Sequence, residues 1–122
     1  MTIKIIAAGL LFLISIATGI WLSRNGKPLN PWIFNIHKLI SLATAIFASL
    51  AIYELVKTVA MDARVIVIVV ALVIFFLIVF ATGAFLSFEK PQPDFVLILH
   101  KFFPVLILIF SIALGYLFKQ KI

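Results

Sequence analysis

Four long apolar stretches divide the sequence, and short polar segments separate them. The stretches run over about residues 5–22, 32–53, 65–88 and 95–118. Each has roughly 18 to 24 residues, and an α-helix of that length crosses a hydrocarbon core of about 30 Å. The third stretch is rich in valine and isoleucine, but a segment in lipid must pair its own backbone polar groups, which favours a helix. The pattern predicts an all-α protein with four transmembrane helices.

The composition supports a membrane protein. Hydrophobic residues make up 66% of the 122 residues and charged residues only 11%, whereas soluble domains are near half apolar and a quarter charged. The net charge of +6 comes from basic residues at the ends of the stretches, where anionic headgroups are the expected partners and nucleic acid is not. We therefore expect one multi-pass membrane domain, residues 1–122, contacting the lipid bilayer and located in the inner or plasma membrane if the source is prokaryotic.

The chain contains no cysteine. This excludes disulfides, iron–sulfur clusters and covalently attached c-type haem. Any metal or cofactor must therefore be held without a thiolate ligand.

Two short motifs occur once in each half of the chain. Ala-Thr-Gly at residues 17–19 recurs at residues 81–83, and both copies continue with two further residues and Leu-Ser. A His-Lys pair at residues 37–38 recurs at residues 100–101. A basic start followed by an apolar run is also typical of a signal peptide, but a cleaved leader has no reason to match an internal segment. The first stretch is therefore expected to be a transmembrane helix.

These matches predict two tandem repeats of two helices each, over residues 1–59 and 60–122. Two spans per repeat make both halves cross the membrane in the same sense. We therefore expect a four-helix bundle whose halves are related by a pseudo-twofold axis along the membrane normal.

His37 and His100 are the only histidines, and both lie inside apolar stretches. His37 follows Trp32 by five residues, which at about 1.5 Å per residue places it roughly 7 to 8 Å inside the hydrocarbon slab. His100 follows Phe95 by the same interval. An ionisable side chain inside a span is costly and by default marks a functional site. Two in matching contexts indicate one shared ligand, which we interpret as a single b-type haem held by two imidazoles.

Gly19 and Gly83 are expected at the same membrane level as the histidines, because each lies near the end of the stretch that precedes a histidine-bearing one. In a bundle with neighbours 8–10 Å apart, the histidine helices would lie about 13 Å apart on a diagonal. Two imidazoles and an iron fill about that distance. The absence of a side chain at the glycines would leave room for a flat porphyrin.

Four further residues are candidates for the same site. Thr18 and Thr82 precede the glycines and are expected to donate to a carbonyl, a haem propionate or a histidine nitrogen. Lys38 and Lys101 follow the histidines, and they are either partners of the propionates or anchors that extend towards the headgroups.

Other functions remain open at this point. The histidines are also suited to join helices as polar side chains, which would make the chain a cofactor-free structural or assembly subunit. Zinc or copper would need more ligands than two histidines. A proton-coupled transporter would need a carboxylate in mid-span, whereas acidic residues such as Glu54 and Asp62 lie at span ends and are expected to be solvated.

The Ala-Thr-Gly and His-Lys repeat resembles small four-helix b-type cytochromes, namely the cytochrome b561-like group and related respiratory membrane anchors. The resemblance implies haem b, histidine ligands on the helices, and electron exchange with a quinol or a redox subunit. Only His37 and His100 match as ligands, so one haem is implied where members commonly hold two. The expected role is that of an electron carrier or redox subunit of a quinol-linked respiratory complex, more than that of a stand-alone enzyme.

Overall fold

The computed structural model of the chain describes residues 2–25, 30–58, 62–88 and 90–121. Within these residues it contains four α-helices and no strand, which confirms the predicted all-α class. The helices are α1 (Thr2–Asn25), α2 (Pro31–Thr58), α3 (Ala63–Leu86) and α4 (Asp94–Lys121). Residues 26–29, 59–61 and Glu89, which belong to the polar segments between the apolar stretches, lie outside the described residues.

Each described helix is long and apolar enough to cross a membrane, over 23 to 27 residues. Their outer sides carry large apolar side chains, such as Leu13 on α1 and Leu77 on α3, which are 56% and 64% exposed. Apolar side chains on the outside of a helix are stable against lipid tails and costly in water. The chain is therefore a multi-pass membrane protein that contacts the bilayer.

The helix ends follow from local capping groups. Asn30 precedes α2, and its side-chain oxygen accepts from the backbone N–H groups of Trp32 and Ile33, at 3.0 and 3.3 Å. Asp62 does the same for α3, accepting from the N–H of Val65 at 3.0 Å. Such caps satisfy backbone donors that have no partner within the helix. Asp62, expected to be solvated, thus has a structural role.

The chain divides into two compact units, residues 1–58 and 59–122. In the first, α1 packs along α2, and in the second α3 packs along α4. The contacts run in opposite directions along the paired helices: Ser15 meets Ser41 and Lys4 meets Glu54 in the first unit. In the second, Thr82 meets His100 and Phe75 meets Phe110. Each unit is therefore an antiparallel helical hairpin, which we call hairpin 1 (α1 and α2) and hairpin 2 (α3 and α4).

Polar groups join the helices of hairpin 1. The Ser15 and Ser41 hydroxyls are 2.6 Å apart and share a hydrogen bond. Near the other end of the hairpin, the Lys4 ammonium forms an ion pair with the Glu54 carboxylate, whose side chain is 33% exposed. Glu54 remains partly exposed, in keeping with its position at a span end, and the ion pair also links α2 to α1.

Aromatic rings join the helices of hairpin 2. The Phe75 ring of α3 contacts two rings of α4, Phe103 and Phe110, with centroid separations of 5.3 and 5.0 Å. The first pair is tilted, and the second is edge-to-face, which is a favourable arrangement for aromatic pairs. Apolar packing thus takes the place of the polar links found in hairpin 1.

The same positions are buried in α2 and α4. The buried residues of α2 are Ile33, Thr44, Ala51 and Leu55, and those of α4 are Val96, Ile107, Leu114 and Phe118. Each residue of the second set follows its counterpart by 63 positions, which is also the interval between the two histidines. The sequence repeat therefore extends to the pattern of burial. The pseudo-twofold arrangement of the repeats stays a prediction.

Candidate functional site

The His37 ring lies between the two helices of hairpin 1. Its Nδ1 is 2.9 Å from the main-chain carbonyl oxygen of Ser15 and 3.0 Å from Oγ1 of Thr18, both on α1. A carbonyl oxygen only accepts hydrogen bonds, so Nδ1 must carry the proton in this contact. The Thr18 hydroxyl donates to the same Ser15 carbonyl at 2.9 Å, which turns an oxygen lone pair of Thr18 towards Nδ1.

The His100 ring makes the equivalent contacts in hairpin 2. Its Nδ1 is 3.0 Å from the carbonyl oxygen of Val79 and 3.0 Å from Oγ1 of Thr82. The Thr82 hydroxyl lies within hydrogen-bonding distance of two carbonyl oxygens of α3, those of Ile78 and Val79, at 2.8 and 3.0 Å. It donates to them and presents a lone pair to the histidine, as Thr18 does.

These contacts select one tautomer of both histidines. In a neutral ring that carries its proton on Nδ1, the remaining lone pair is on Nε2. Histidines that bind metals commonly donate their other ring N–H to a carbonyl oxygen, which fixes the ring orientation and makes the coordinating nitrogen more basic. His37 and His100 therefore have the hydrogen bonding at Nδ1 that is typical of histidine ligands.

Gly19 and Gly83 allow the two rings to lie this close to the neighbouring helix. A Cβ atom added to Gly19 would stand 2.9 Å from Cε1 of His37, and one added to Gly83 would stand 3.0 Å from Cε1 of His100. A side chain at Gly19 would force the His37 ring to shift, and one at Gly83 would require the His100 ring to give by a few tenths of an ångström. The sequence predicted that the glycines make room for a porphyrin; in each hairpin the structure shows that the space is taken by the histidine ring.

Lys38 and Lys101, which directly follow the histidines in sequence, are both exposed. The Lys38 ammonium is 6.0 Å from the ring centroid of Phe34, one turn earlier on α2, and Lys101 is exposed on α4. The choice between propionate partners and headgroup anchors stays a prediction for both.

Sequence reasoning identified the side chains of each site but missed the main-chain acceptors. The carbonyls that accept from the histidines belong to Ser15 and Val79, each four residues before a glycine. The four-residue interval could have indicated them, because it places each of these residues on the same helix face as the glycine, one turn away. Nothing in the identity of Val79 would have pointed to its carbonyl.

Among the described residues, no three histidine, cysteine, aspartate or glutamate side chains form a group able to hold a metal ion. No family model, curated protein or solved structure matches the chain.

Proposed function

We propose that the chain is a membrane electron carrier that binds one b-type haem through Nε2 of His37 and of His100. The observation that carries this proposal is the shared state of the two histidines: each donates Nδ1–H to a main-chain carbonyl beside a threonine hydroxyl. That state leaves each ring with an Nε2 lone pair, which is the form in which histidine serves as an axial ligand of haem.

The donor set fits this cofactor in kind and number. Two neutral imidazoles satisfy the two axial positions of a haem iron, so two histidines support one haem per chain. The haem would supply one-electron chemistry, and the protein would supply the ligands, their orientation and an apolar environment. The resemblance to small b-type cytochromes supports the same role, with a quinol or another redox subunit of a respiratory membrane complex as the partner.

The second candidate is a cofactor-free structural or assembly subunit. It is favoured by the same contacts, because each histidine already joins the two helices of its own hairpin through hydrogen bonds. Polar side chains that pair across helices stabilise membrane proteins by about 0.6 kcal/mol on average. On this view the histidines hold the hairpins together and bind nothing.

Visible spectroscopy of the purified chain, expressed with added haem, separates the two candidates. We expect the sharp bands of a six-coordinate b-type haem on reduction. His37→Ala and His100→Ala should each abolish or strongly alter these bands. Ser49→Ala is a matched control, because Ser49 is an exposed residue of α2 whose hydroxyl donates to the carbonyl of Ala45 in its own helix. A colourless protein, or bands unchanged in both histidine variants, would support the structural candidate.

A further inference from the structure

A groove of about 520 Å³ lies between α3 and α4, at the end of hairpin 2 where α3 begins and α4 ends. One face of each helix forms it, because the residues of each wall are spaced three and four apart. The lining residues are Ala63, Arg64, Val67 and Ile68 of α3, with Ala113, Tyr116 and Leu117 of α4. Apart from Arg64 and Tyr116, these side chains have no polar atom. The groove therefore suits a hydrocarbon chain.

The matching place in hairpin 1 has charged residues. The sequence repeat relates Ile68 and Leu117 of the groove to Lys4 and Glu54. Lys4 and Glu54 form the ion pair that joins α1 to α2. Hairpin 2 therefore has apolar surface where hairpin 1 has a charged link between its helices.

Arg64 adds a positive charge at the end of the groove nearer the start of α3. Its side chain is 68% exposed, and it contacts the Asp62 carboxylate at 3.4 Å. Such long, exposed ion pairs contribute little to stability. A guanidinium has five N–H donors in a planar fork that matches a phosphate. Arg64 can therefore bind a phosphate group while it keeps its contact with Asp62.

The other charges at this end of hairpin 2 favour an anion. Lys119 is exposed on α4, three residues after Tyr116. Among the described residues 62–68 and 113–119, two are basic and one, Asp62, is acidic. Basic residues at span ends attract anionic headgroups, and tyrosine is common at the same membrane level. Tyr116 is 62% exposed, so its ring is accessible to a lipid.

We propose that this groove binds one anionic phospholipid of the bilayer, with its phosphate on Arg64 and an acyl chain along Val67 and Ile68. A phospholipid has its phosphate at the membrane surface and its chains towards the middle. Along α3 the order is the same, because Arg64 is the second residue of the helix and Val67 and Ile68 follow one turn deeper. The site lies within hairpin 2 and does not depend on haem.

The test is native mass spectrometry of the full chain released from a mild detergent. Dioleoyl-phosphatidylglycerol and dioleoyl-phosphatidylcholine are added in increasing amounts, and the fraction of the chain that retains one phospholipid is measured. The two lipids have the same acyl chains, and only the first has a net negative charge. We expect the wild type to retain one phosphatidylglycerol in preference to phosphatidylcholine.

Arg64→Gln tests the phosphate contact. It should weaken phosphatidylglycerol binding about fivefold, the effect of one basic side chain near an anionic headgroup, and change phosphatidylcholine binding little. Arg24→Gln is the matched control, because Arg24 is an exposed arginine in the last turn of α1 and does not line the groove. Its phosphatidylglycerol binding should equal that of the wild type.

Ala113→Leu tests the acyl-chain contact. It places at this position the residue that hairpin 1 has at Leu50, and the added bulk should weaken binding of both lipids about tenfold. Ala84→Leu is the matched control, because Ala84 is an exposed alanine near the other end of α3. It should bind both lipids as the wild type does.

Three results would overturn the inference. The first is equal retention of the two lipids by the wild type, or no retention of either. The second is phosphatidylglycerol binding by Arg64→Gln as strong as that by Arg24→Gln. The third is unchanged binding in Ala113→Leu, which would place the acyl chain elsewhere. If the chain retains no lipid and forms dimers that Ala113→Leu abolishes, the groove is a contact between two copies. None of these results bears on the haem proposal.

Discussion

Hairpin 1 and hairpin 2 share one set of histidine contacts and the same buried positions of α2 and α4, and they differ in the side chains that join their helices elsewhere. In both, a histidine Nδ1 meets a main-chain carbonyl and a threonine hydroxyl, and the ring lies against a glycine. Away from these contacts, hairpin 1 is joined by a serine pair and an ion pair, whereas hairpin 2 is joined by phenylalanine rings.

The difference separates what the packing of the two helices requires from what the placement of the histidine requires. Packing of a helical hairpin can be met by hydrogen bonds, ion pairs or rings, and the two hairpins use different ones. The placement and tautomer of the histidine are the same in both, although hairpin 1 could hold its helices together by its serine pair and ion pair. The comparison therefore favours a ligand for the histidines over a purely structural role.

The largest effect should come from filling the space beside the histidines. Gly19→Leu and Gly83→Leu should each expel haem while the four spans remain inserted, because even a Cβ atom at these positions would stand 2.9 or 3.0 Å from the ring. Gly19→Ala and Gly83→Ala should weaken haem binding about tenfold or more, since forced shifts in packed structure cost roughly 1–3 kcal/mol. Absorbance titration with haem measures both series.

The chain provides a control glycine in each hairpin. An added Cβ would meet nothing within 4 Å at Gly9 of α1 or at Gly115 of α4. Gly9→Ala and Gly115→Ala should therefore bind haem as the wild type does. Equal affinity in all four alanine variants would show that the packing of imidazole on glycine has no part in the site.

A smaller effect is expected from the threonines. Thr18→Val and Thr82→Val keep the shape of the side chain and remove one of the two acceptors of each Nδ1–H. Haem affinity should fall about fivefold in each, because one hydrogen bond contributes about 1 kcal/mol and the carbonyl acceptor remains. Thr44→Val is the control, since the buried Thr44 hydroxyl bonds the carbonyl of Ile40 in its own helix. If Thr44→Val lowers haem affinity as much as the other two variants do, the effect is a general destabilisation of the protein.

The smallest effect should come from the exposed lysines. If Lys38 and Lys101 lie about 10 Å from the iron, each would favour the reduced state by about 1.7 kcal/mol at an effective dielectric of about 20. Screening by solvent reduces this to a few tens of millivolts in the midpoint potential. Lys38→Gln and Lys101→Gln should lower the midpoint, and the double variant should lower it further. A redox titration with all three midpoints unmoved would identify both lysines as headgroup anchors.

The fold was accessible from the sequence because it depends on segment length and hydropathy. Stretches such as residues 65–88 are too long and too apolar for any other structure in lipid, and the helix observed there, Ala63–Leu86, departs by only two residues at either end. The ion pair between Lys4 and Glu54 could not be predicted from the sequence. Those residues are 50 positions apart, and each on its own fits a solvated span end.

The sequence identified the residues of the candidate site but not the contacts between them. The repeat of Ala-Thr-Gly and His-Lys singled out the histidines, threonines and glycines together. It did not reveal that each glycine accommodates the histidine ring of its own hairpin, because the identity of a glycine does not show which group occupies the space beside it. The main-chain acceptors at Ser15 and Val79 were hidden for a similar reason, since every residue has a carbonyl.

The most direct test of the central claim is the stoichiometry of haem binding to the purified chain. Haem is added in steps to the haem-free protein, and the reduced absorbance bands are followed to saturation. Ligation by both His37 and His100 predicts saturation at one haem per chain. It also predicts no sharp six-coordinate bands in the variant that lacks both histidines. Saturation at two haems per chain, or sharp bands that persist in that double variant, would contradict the account.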